Sequence, residues 1–529
     1  MSSSESVLRG GVVWPQASKL LQTLAKVAFV AMLAVGCALR LLWISDVPYI
    51  ADEPQLILNA LEANAEGHWV DRGLQGGKGV HYGPLPTWIY QVAVSVLTSP
   101  VEIAFFKSLF ITLITVFSLW VWSRYLRAQD NWFVWVAVLS PCLWFYSRDL
   151  WDNSWGVPFS IVLWTSYLYF DQKPSLRRLL VPAISAAGIL LIHLMSLPIV
   201  AAIVVHFLVK QRQWIWRRWA GVLLIAALVV AVDITYFLQI AAIHPPKPPT
   251  AWSLESFVFP FFAPLYFSAV DSVYFLGNGW MDFPGFSPWF AFIVRIALRI
   301  SQLGVVLWAA GLVISALHQS RRGSWASEFS TSWAGTSEQL ALLTMGFFLA
   351  LSAAKGLVTH PHYFNCIWPA VFFLIWRGAT FLWNPTISAP SFEWIRSGTV
   401  PTRIAVSLWM VSLFTSMMAI QLRVHWGEGT RSLHYGPTVG NLWTVSEDLL
   451  GKLGAQIIPV TFHARAFPHS IESLVQWRLS NSPPTGAGLA EERWLVTYRY
   501  PKETWNGEVA VVKLVEGPTQ KTATQKNSK

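Results

Sequence analysis

Charged residues are scarce in this chain: they make up 12% of its 529 residues, whereas hydrophobic residues make up 54%. The charged share is about half of that in soluble domains, which excludes a soluble globular protein. Cysteine is scarce as well, and the three copies, Cys37, Cys142 and Cys366, are scattered in or beside apolar segments. That spacing excludes a disulfide framework and a cysteine metal site.

Long apolar runs take the place of charge. The first starts at Leu24; because it is too long and lacks a small-residue cleavage site, we expect it to stay as a helix rather than be removed as a signal peptide. Further runs cover residues 104–122, 132–146, 155–170, 179–192, 197–209 and 219–243. A helix needs about 20 apolar residues to cross a bilayer, and tryptophan is enriched at membrane interfaces. The runs and the 31 tryptophans therefore predict a polytopic α-helical membrane protein with interfacial tryptophan belts.

The net charge of +10 is concentrated in short polar gaps between these runs, at 123–129, 171–178, 210–218 and 318–323. Lysine and arginine collect in cytoplasmic loops, so this is a topology pattern and we expect no nucleic-acid partner. The intervening segments would then face the exterior, at 46–102, 148–154, 193–197, 241–288 and 355–362.

The alternation holds only if residues 85–97, which are few and interrupted by proline, lie at the outer surface or re-enter it. The chain then has about eleven spanning helices, with the N-terminus inside. The rival count makes 85–97 a span and puts 123–129 outside.

Three parts of the chain follow from this topology. Residues 1–421 form the membrane domain, with outer loops at 46–102 and 241–288. Residues 422–517 form a small α/β domain outside, with a helix at 445–453 and strands at 493–500 and 508–516. Residues 518–529 form a disordered tail.

Three acids, Asp46, Asp52 and Glu53, stand where the first apolar run ends. Asp52 or Glu53 would cap a helix that has Pro54 in its first turn and apolar residues at 57, 58 and 61. One interpretation is an amphipathic helix resting on the bilayer. The other is a pair of carboxylates held for chemistry and kept ionised by the helix N-terminus, although a lowered pKa makes a weaker base.

Four motifs carry a resemblance to a known family. They are the Asp-Glu pair at 52–53, "GPLPTWIY" at 83–90, "SRDLWDNSWGVPF" at 147–159 and "HYFNCIWPAVFFL" at 362–374. In this order, over residues 20–420, the chain resembles the polyprenyl-phosphate-sugar-dependent glycosyltransferases of the GT-C fold. Within them it is most similar to the protein mannosyltransferase and aminoarabinose transferase superfamily. One position departs from the aminoarabinose transferases, which have lysine where this chain has Gly83.

The resemblance implies a hexosyl or pentosyl transferase in the cell membrane with an extracytoplasmic active site. It would move a sugar from a polyprenyl-phosphate donor to a hydroxyl of a glycan, lipid or protein acceptor. Asp52 takes the place of the base, accompanied by Glu53. Asp152, in preference to Asp149, takes the place of the second acid, near the donor phosphate or a metal.

Cations or a divalent metal ion must stabilise the departing phosphate. Asp52 and Asp152 would hold the metal if there is one. Candidate side chains for binding the donor phosphate are Lys78, His81, Arg148, Lys355, His360 and His362. The plainer explanation for Arg148 is that its side chain snorkels to the membrane surface. For His360 and His362 it is a hydrogen bond at the membrane interface. His193 and Asp233, in or near apolar runs, serve either function or packing.

Residues 257–267 are aromatic and broken by proline, so we do not expect them to span the membrane. One interpretation is that they cover an active-site cavity and hold a polyprenyl tail. The other is that they are a structural plug. Asp271 and Asp282 nearby could reach the acceptor, or form turns. A transporter or flippase of lipid-linked sugars is the competing class. It predicts ionisable residues at mid-membrane and internal repeats, and neither is clear in this sequence. A polysaccharide ligase or polymerase predicts basic rather than acidic residues in the outer loops.

Overall fold

A computed structural model describes residues 19–50, 52–76, 81–125, 132–243, 254–263, 287–290, 292–293, 296, 300, 333–355, 360–383, 399–426, 438–453, 460–463, 470–481, 493–499 and 508–514. Lys78, Asp271 and Asp282, the predicted tail 518–529 and the side chain of Lys355 lie outside this description.

The described chain is mainly helical. Its helices are α1 Lys19–Leu41, α2 Asp52–Glu66, α3 Leu85–Val96, α4 Pro100–Tyr125, α5 Trp132–Val138, α6 Pro141–Arg148, α7 Gly156–Gln172, α8 Leu176–Leu190, α9 Leu197–Lys210, α10 Arg212–Arg217, α11 Trp219–Ile243, α12 Leu254–Val258, α13 Trp333–Lys355, α14 Trp368–Trp383, α15 Thr399–Trp426, α16 Val439–Leu453 and α17 Ser470–Asn481. Three strands, β1 Val460–His463, β2 Arg493–Arg499 and β3 Glu508–Leu514, form a sheet in which β1 pairs parallel to β2 and β2 antiparallel to β3.

The long helices pack around an apolar core: α7 lies against α4 and α8, α9 against α13, and α13 against α14. Tryptophan rings fill much of this core, and five are fully buried: Trp122, Trp144, Trp164, Trp368 and Trp409. The expectation of interfacial belts is therefore wrong for these five. Their large rings fill the gaps between helices, where shape matching contributes more than an interfacial position.

The two ends of the bundle differ in chemistry. At one end, Lys210 Nζ forms an ion pair of 2.7 Å with Asp171 Oδ2 and also donates to Thr336. At the other end, His425 Nδ1 lies 2.8 Å from Asp46 Oδ2. The basic gaps at 171–178 and 210–218 therefore share one end, and the acidic segment after α1 lies at the opposite end. This agrees with the predicted alternation, while the side of the membrane that each end faces stays a prediction.

Two of the described helices, Pro100–Arg124 and Gly335–Ala354, are long and apolar enough on their own to cross a membrane. The count of about eleven spans stays a prediction. Helix α3 has 12 residues and packs on α2. At 1.5 Å per residue it is roughly 18 Å long, too short to span, while its position at the outer surface or re-entering it stays a prediction.

Helices α16 and α17 pack onto the first outer loop. Val439 N donates to Val47 O at 2.9 Å, and the Tyr49 and Ser473 hydroxyls lie 2.7 Å apart. The predicted helix at 445–453 starts earlier, at Val439, and the two predicted strands are present as β2 and β3. Strand β1 and helix α17 were not predicted. The region after α15 thus shares a second apolar core with the loop that carries Asp52.

Candidate active site

The first turn of α2 presents the two acids of the first outer loop. The helix begins at Asp52, so both acids lie inside it and neither is its N-cap. Glu53 Oε2 accepts a hydrogen bond from Ile50 N at 3.3 Å, just before the helix begins. Asp52 faces the other way: its Oδ2 accepts from Trp151 Nε1 at 2.6 Å. Asp52 therefore ties the first outer loop to the second.

The second predicted outer loop, 148–154 by sequence, covers residues 149–155 between α6 and α7 and carries Asp149 and Asp152. Asp149 Oδ1 accepts from Trp151 N at 3.2 Å, and Asp152 Oδ1 accepts from Asn153 N at 2.6 Å. Asp152 is 1% exposed, and its Oδ2 has no hydrogen-bond partner among the described residues. Helix α7 has Trp155 at its N-cap without a side-chain bond, so Asp152 does not cap that helix.

Lys107, on α4, holds this loop in place. Its buried Nζ donates to Asp149 O at 2.6 Å and to Trp151 O at 3.2 Å, and it also contacts Ser154 Oγ. Tyr90 Oη of α3 lies 2.9 Å from the same nitrogen. The neighbouring acids need a counter-charge. The structure supplies Lys107. Its only sequence signal was that it is an isolated lysine within the apolar run 104–122.

Burial controls the electrostatics of these acids. It raises the pKa of Asp52, against the Trp151 hydrogen bond, which lowers it. It raises the pKa of Asp152 well above the usual value, and the negative charge of Asp52 raises it further. Burial also raises the pKa of Asp149, which the Lys107 charge lowers. The expectation of a low Asp52 pKa is wrong because loss of water outweighs the helix dipole. A raised pKa makes Asp52 a stronger base. The carboxylates of Asp52 and Asp152 lie within electrostatic range of each other.

Aromatic and imidazole rings cover the acid loop. The Trp151 ring packs 4.4 Å from His362, which stacks on His360 at 5.2 Å. On the other side, Tyr82 packs 4.2 Å from His193. The structure therefore brings His360 and His362 to the loop that holds Asp152.

Other candidates have contacts elsewhere. His81 Nδ1 lies 3.1 Å from Gly73 O, within the first outer loop. Arg148 donates to Trp43 O at 2.5 Å, where α6 meets the end of α1, and its guanidinium lies 4.9 Å from the Trp144 ring centroid. Asp46 is paired with His425, so of the three acids after the first run only two join the acid cluster.

Gly83 lies in tight contact with the end of α8. A Cβ placed on it would lie 1.8 Å from Leu191 O, closer than any side chain could fit. This explains the departure from the aminoarabinose transferases: lysine has no room at position 83 in this packing.

A metal site was left open by the sequence. Within the described ranges there is no group of three or more His, Cys, Asp or Glu side chains arranged to hold an ion. Asp52 and Asp152, which would hold a metal ion if one binds, supply two carboxylates.

Comparisons with known proteins come from structure alone, since no protein-family model and no curated protein matches the sequence. ArnT from Cupriavidus metallidurans in the apo state is similar with a TM-score of 0.52 and 13% identity, covering 90% of this chain and 93% of ArnT. ArnT bound to undecaprenyl phosphate gives 0.47 at the same identity and coverage. Arabinofuranosyltransferase AftD from Mycobacteria gives 0.43 at 14% identity, covering 87% of this chain and 31% of AftD.

ArnT has the GT-C fold. The chain has the GT-C fold. This confirms the fold that the resemblance implied. At 13% identity the likeness to ArnT concerns the fold alone, so the activity has to be argued from the acid cluster.

Proposed function

We propose that this chain is an integral-membrane glycosyltransferase that moves a sugar from a polyprenyl-phosphate donor to an extracytoplasmic acceptor hydroxyl. The observation that carries the proposal is the hydrogen bond between Trp151 and Asp52. It joins the acids of two outer loops into one buried cluster on a GT-C fold.

In the proposed reaction, Asp52 accepts the proton of the acceptor hydroxyl as that oxygen attacks the anomeric carbon of the sugar. The bond between this carbon and the phosphate oxygen breaks, and the lipid phosphate leaves with the electron pair. Trp151 fixes the orientation of the carboxylate, and burial makes it more basic. General base catalysis of this kind contributes roughly 10²–10⁴-fold.

Departure of the phosphate needs positive charge or hydrogen-bond donors. We assign this to His360 and His362, because Trp151 links them to the acid loop. Lys78 and His81 of the first outer loop complete the proposed set. Phe259, after α12, stacks 4.8 Å from Phe364, which is two residues from His362, so the start of the 257–267 segment packs in the helix core beside these histidines.

Sugar transfer by the purified chain in liposomes tests the proposal. Donors would be polyprenyl phosphates that carry one radiolabelled hexose or pentose, with a membrane extract as the source of acceptors. We expect transfer by the wild type and its loss in a folded Asp52→Asn variant. The rate should fall as the pH falls through the raised Asp52 pKa, because the base must be ionised. Transfer by Asp52→Asn within about threefold of wild type would remove Asp52 as the base.

A further inference from the structure

His193 joins α8 to α9 and is only 3% exposed. Its Nδ1 accepts a hydrogen bond from Met195 N at 3.0 Å, which caps the short turn Leu194–Ser196. Its own carbonyl accepts from Ser196 Oγ at 2.7 Å. One ring nitrogen and the backbone of His193 are therefore fully used in holding the connection between the helices.

The second ring nitrogen has no such use. A neutral imidazole carries one proton, and because Nδ1 accepts a hydrogen bond, that proton is on Nε2. Burial lowers the pKa of His193 to about 3, so the ring is neutral at physiological pH. Nε2 nevertheless has no hydrogen-bond partner among the described residues. A buried N–H of this kind points to an acceptor that a ligand supplies.

The surroundings of His193 indicate which ligand group fits. The Tyr82 ring lies 4.2 Å away and the Tyr363 ring 5.7 Å away. Burial raises the pKa of the Tyr82 hydroxyl, and the charge of Asp152 raises it further, so Tyr82 also connects this place to the acid cluster. His362, proposed above to bind the phosphate, has its ring 6.4 Å from that of His193, whereas His193 itself is neutral and is bordered by the Tyr82 and Tyr363 rings. A sugar fits better: its hydroxyls accept hydrogen bonds, and its ring is uncharged and packs against apolar and aromatic walls.

We propose that His193 recognises the sugar of the lipid-linked donor, with Nε2–H donating to a sugar oxygen between the rings of Tyr82 and Tyr363. This inference rests on the proposed function, since it assumes a lipid-linked sugar as the ligand. Sites built to hydrogen-bond a substrate oxygen reject analogues that lack it, so His193 would set donor specificity.

Two substitutions separate the two ring nitrogens. In His193→Asn the amide oxygen can replace Nδ1 as the cap of Met195 N, but nothing replaces Nε2–H. In His193→Gln the longer amide can place an N–H near the Nε2 position. His68→Asn, at a half-exposed residue of the first outer loop, is the matched control. Binding to the full-length protein in nanodiscs would be measured for bare undecaprenyl phosphate and for undecaprenyl phosphates that carry a single hexose or pentose.

We expect His193→Asn to weaken binding of the sugar-bearing lipid roughly tenfold or more, the loss that one buried hydrogen bond gives. Bare undecaprenyl phosphate should bind as to wild type, and His193→Gln should recover most of the loss. An equal loss for the bare lipid would overturn the proposal in favour of a phosphate contact. Unchanged binding of both lipids would overturn it outright.

Failure of the transferase proposal remains distinguishable. Wild type that binds the sugar-bearing lipid but never transfers the sugar would contradict the proposed function and leave the His193 contact standing. If His193→Asn does not fold, the comparison of His193→Gln with His193→Met decides, since both side chains are of similar length and only glutamine has an N–H. Equal binding by these two variants would overturn the proposal.

Discussion

Asp152 combines near-complete burial with a carboxylate oxygen that has no partner among the described residues. Its folded-state pKa is raised, so as the pH rises above the unfolded value of about 3.9 the unfolded chain loses its proton first. Folding then becomes less favourable with rising pH until the folded pKa is passed. The acid therefore costs stability at neutral pH, as residues kept for function often do.

We predict that Asp152→Asn abolishes sugar transfer but raises the melting temperature. The gain should be small near pH 4 and grow towards pH 7, because asparagine has no proton to lose. Thermal unfolding in detergent at several pH values measures it, with Asp71→Asn as the control, since that side chain is 62% exposed. A gain that is the same at pH 4 and pH 7 would contradict the raised pKa.

Lys107 is the residue that sequence reasoning missed. Its position in the apolar run marked it as unusual, but nothing in the sequence gives its partners, which belong to α3 and the 149–155 loop. Asp52, Glu53 and Asp152 were predicted because acids at the ends of apolar runs are visible in the sequence. Their burial was not, since it depends on how loops from distant parts of the chain close over each other.

We predict that Lys107→Met destabilises the protein by about 3–5 kcal/mol, the usual effect of removing one partner from a buried charge network. The 149–155 loop would lose its hydrogen-bond donor and Asp149 its counter-charge, so transfer should fall as well. Denaturant titration in detergent checks the stability. Lys173→Met, at an exposed lysine after α7, is the control. Wild-type stability of Lys107→Met would show that the buried contacts contribute nothing.

At the scale of elements, the sequence predicted helix boundaries correctly where residues within the helix itself set them. The start of α2 at Asp52 and the short α3 follow from their acids and prolines. The run at 132–146 was predicted as continuous, but it divides into α5 and α6 at Pro141, with Ser140 capping the second helix. Strand β1 has only four residues, which is too short for a readable pattern.

The contact between the first outer loop and α8 depends on Gly83. We predict that Gly83→Ala is strongly destabilising, because its Cβ would meet Leu191 O, and a backbone atom cannot rotate away. The result is measured as a loss of folded protein or a lower melting temperature. Gly346→Ala in α13 is the control: its Cβ meets nothing within 4 Å, and alanine favours a helix by about 1 kcal/mol. Equal stability of the two variants would contradict the close packing.

At the scale of the whole molecule, the alternation of basic and acidic loops predicted which helix ends share one side. The structure agrees: Asp171 meets Lys210 at one end, and Asp46 meets His425 at the other. The sequence could not predict that α16 and α17 pack on the first outer loop, because the residues in contact are far apart in the chain. Tyr49 and Ser473, for example, are 424 positions apart.

Cysteine labelling tests the predicted orientation. We expect Asp71→Cys and Glu447→Cys to react with a membrane-impermeant reagent in intact cells, since both native side chains are more than half exposed. Arg177→Cys, in a basic gap, should react only after the cells are opened. Protection of both outer sites, or labelling of Arg177→Cys in intact cells, would reverse the orientation.

We propose that the acid cluster promotes cleavage of the bond between the sugar and the lipid phosphate. Mass spectrometry of the lipids from proteoliposomes tests it most directly, because a transferase and a flippase leave different products. We predict that wild type releases one bare polyprenyl phosphate for each sugar transferred, and that Asp52→Asn releases none. Intact sugar-bearing lipid that crosses the bilayer without release of bare polyprenyl phosphate would contradict the account.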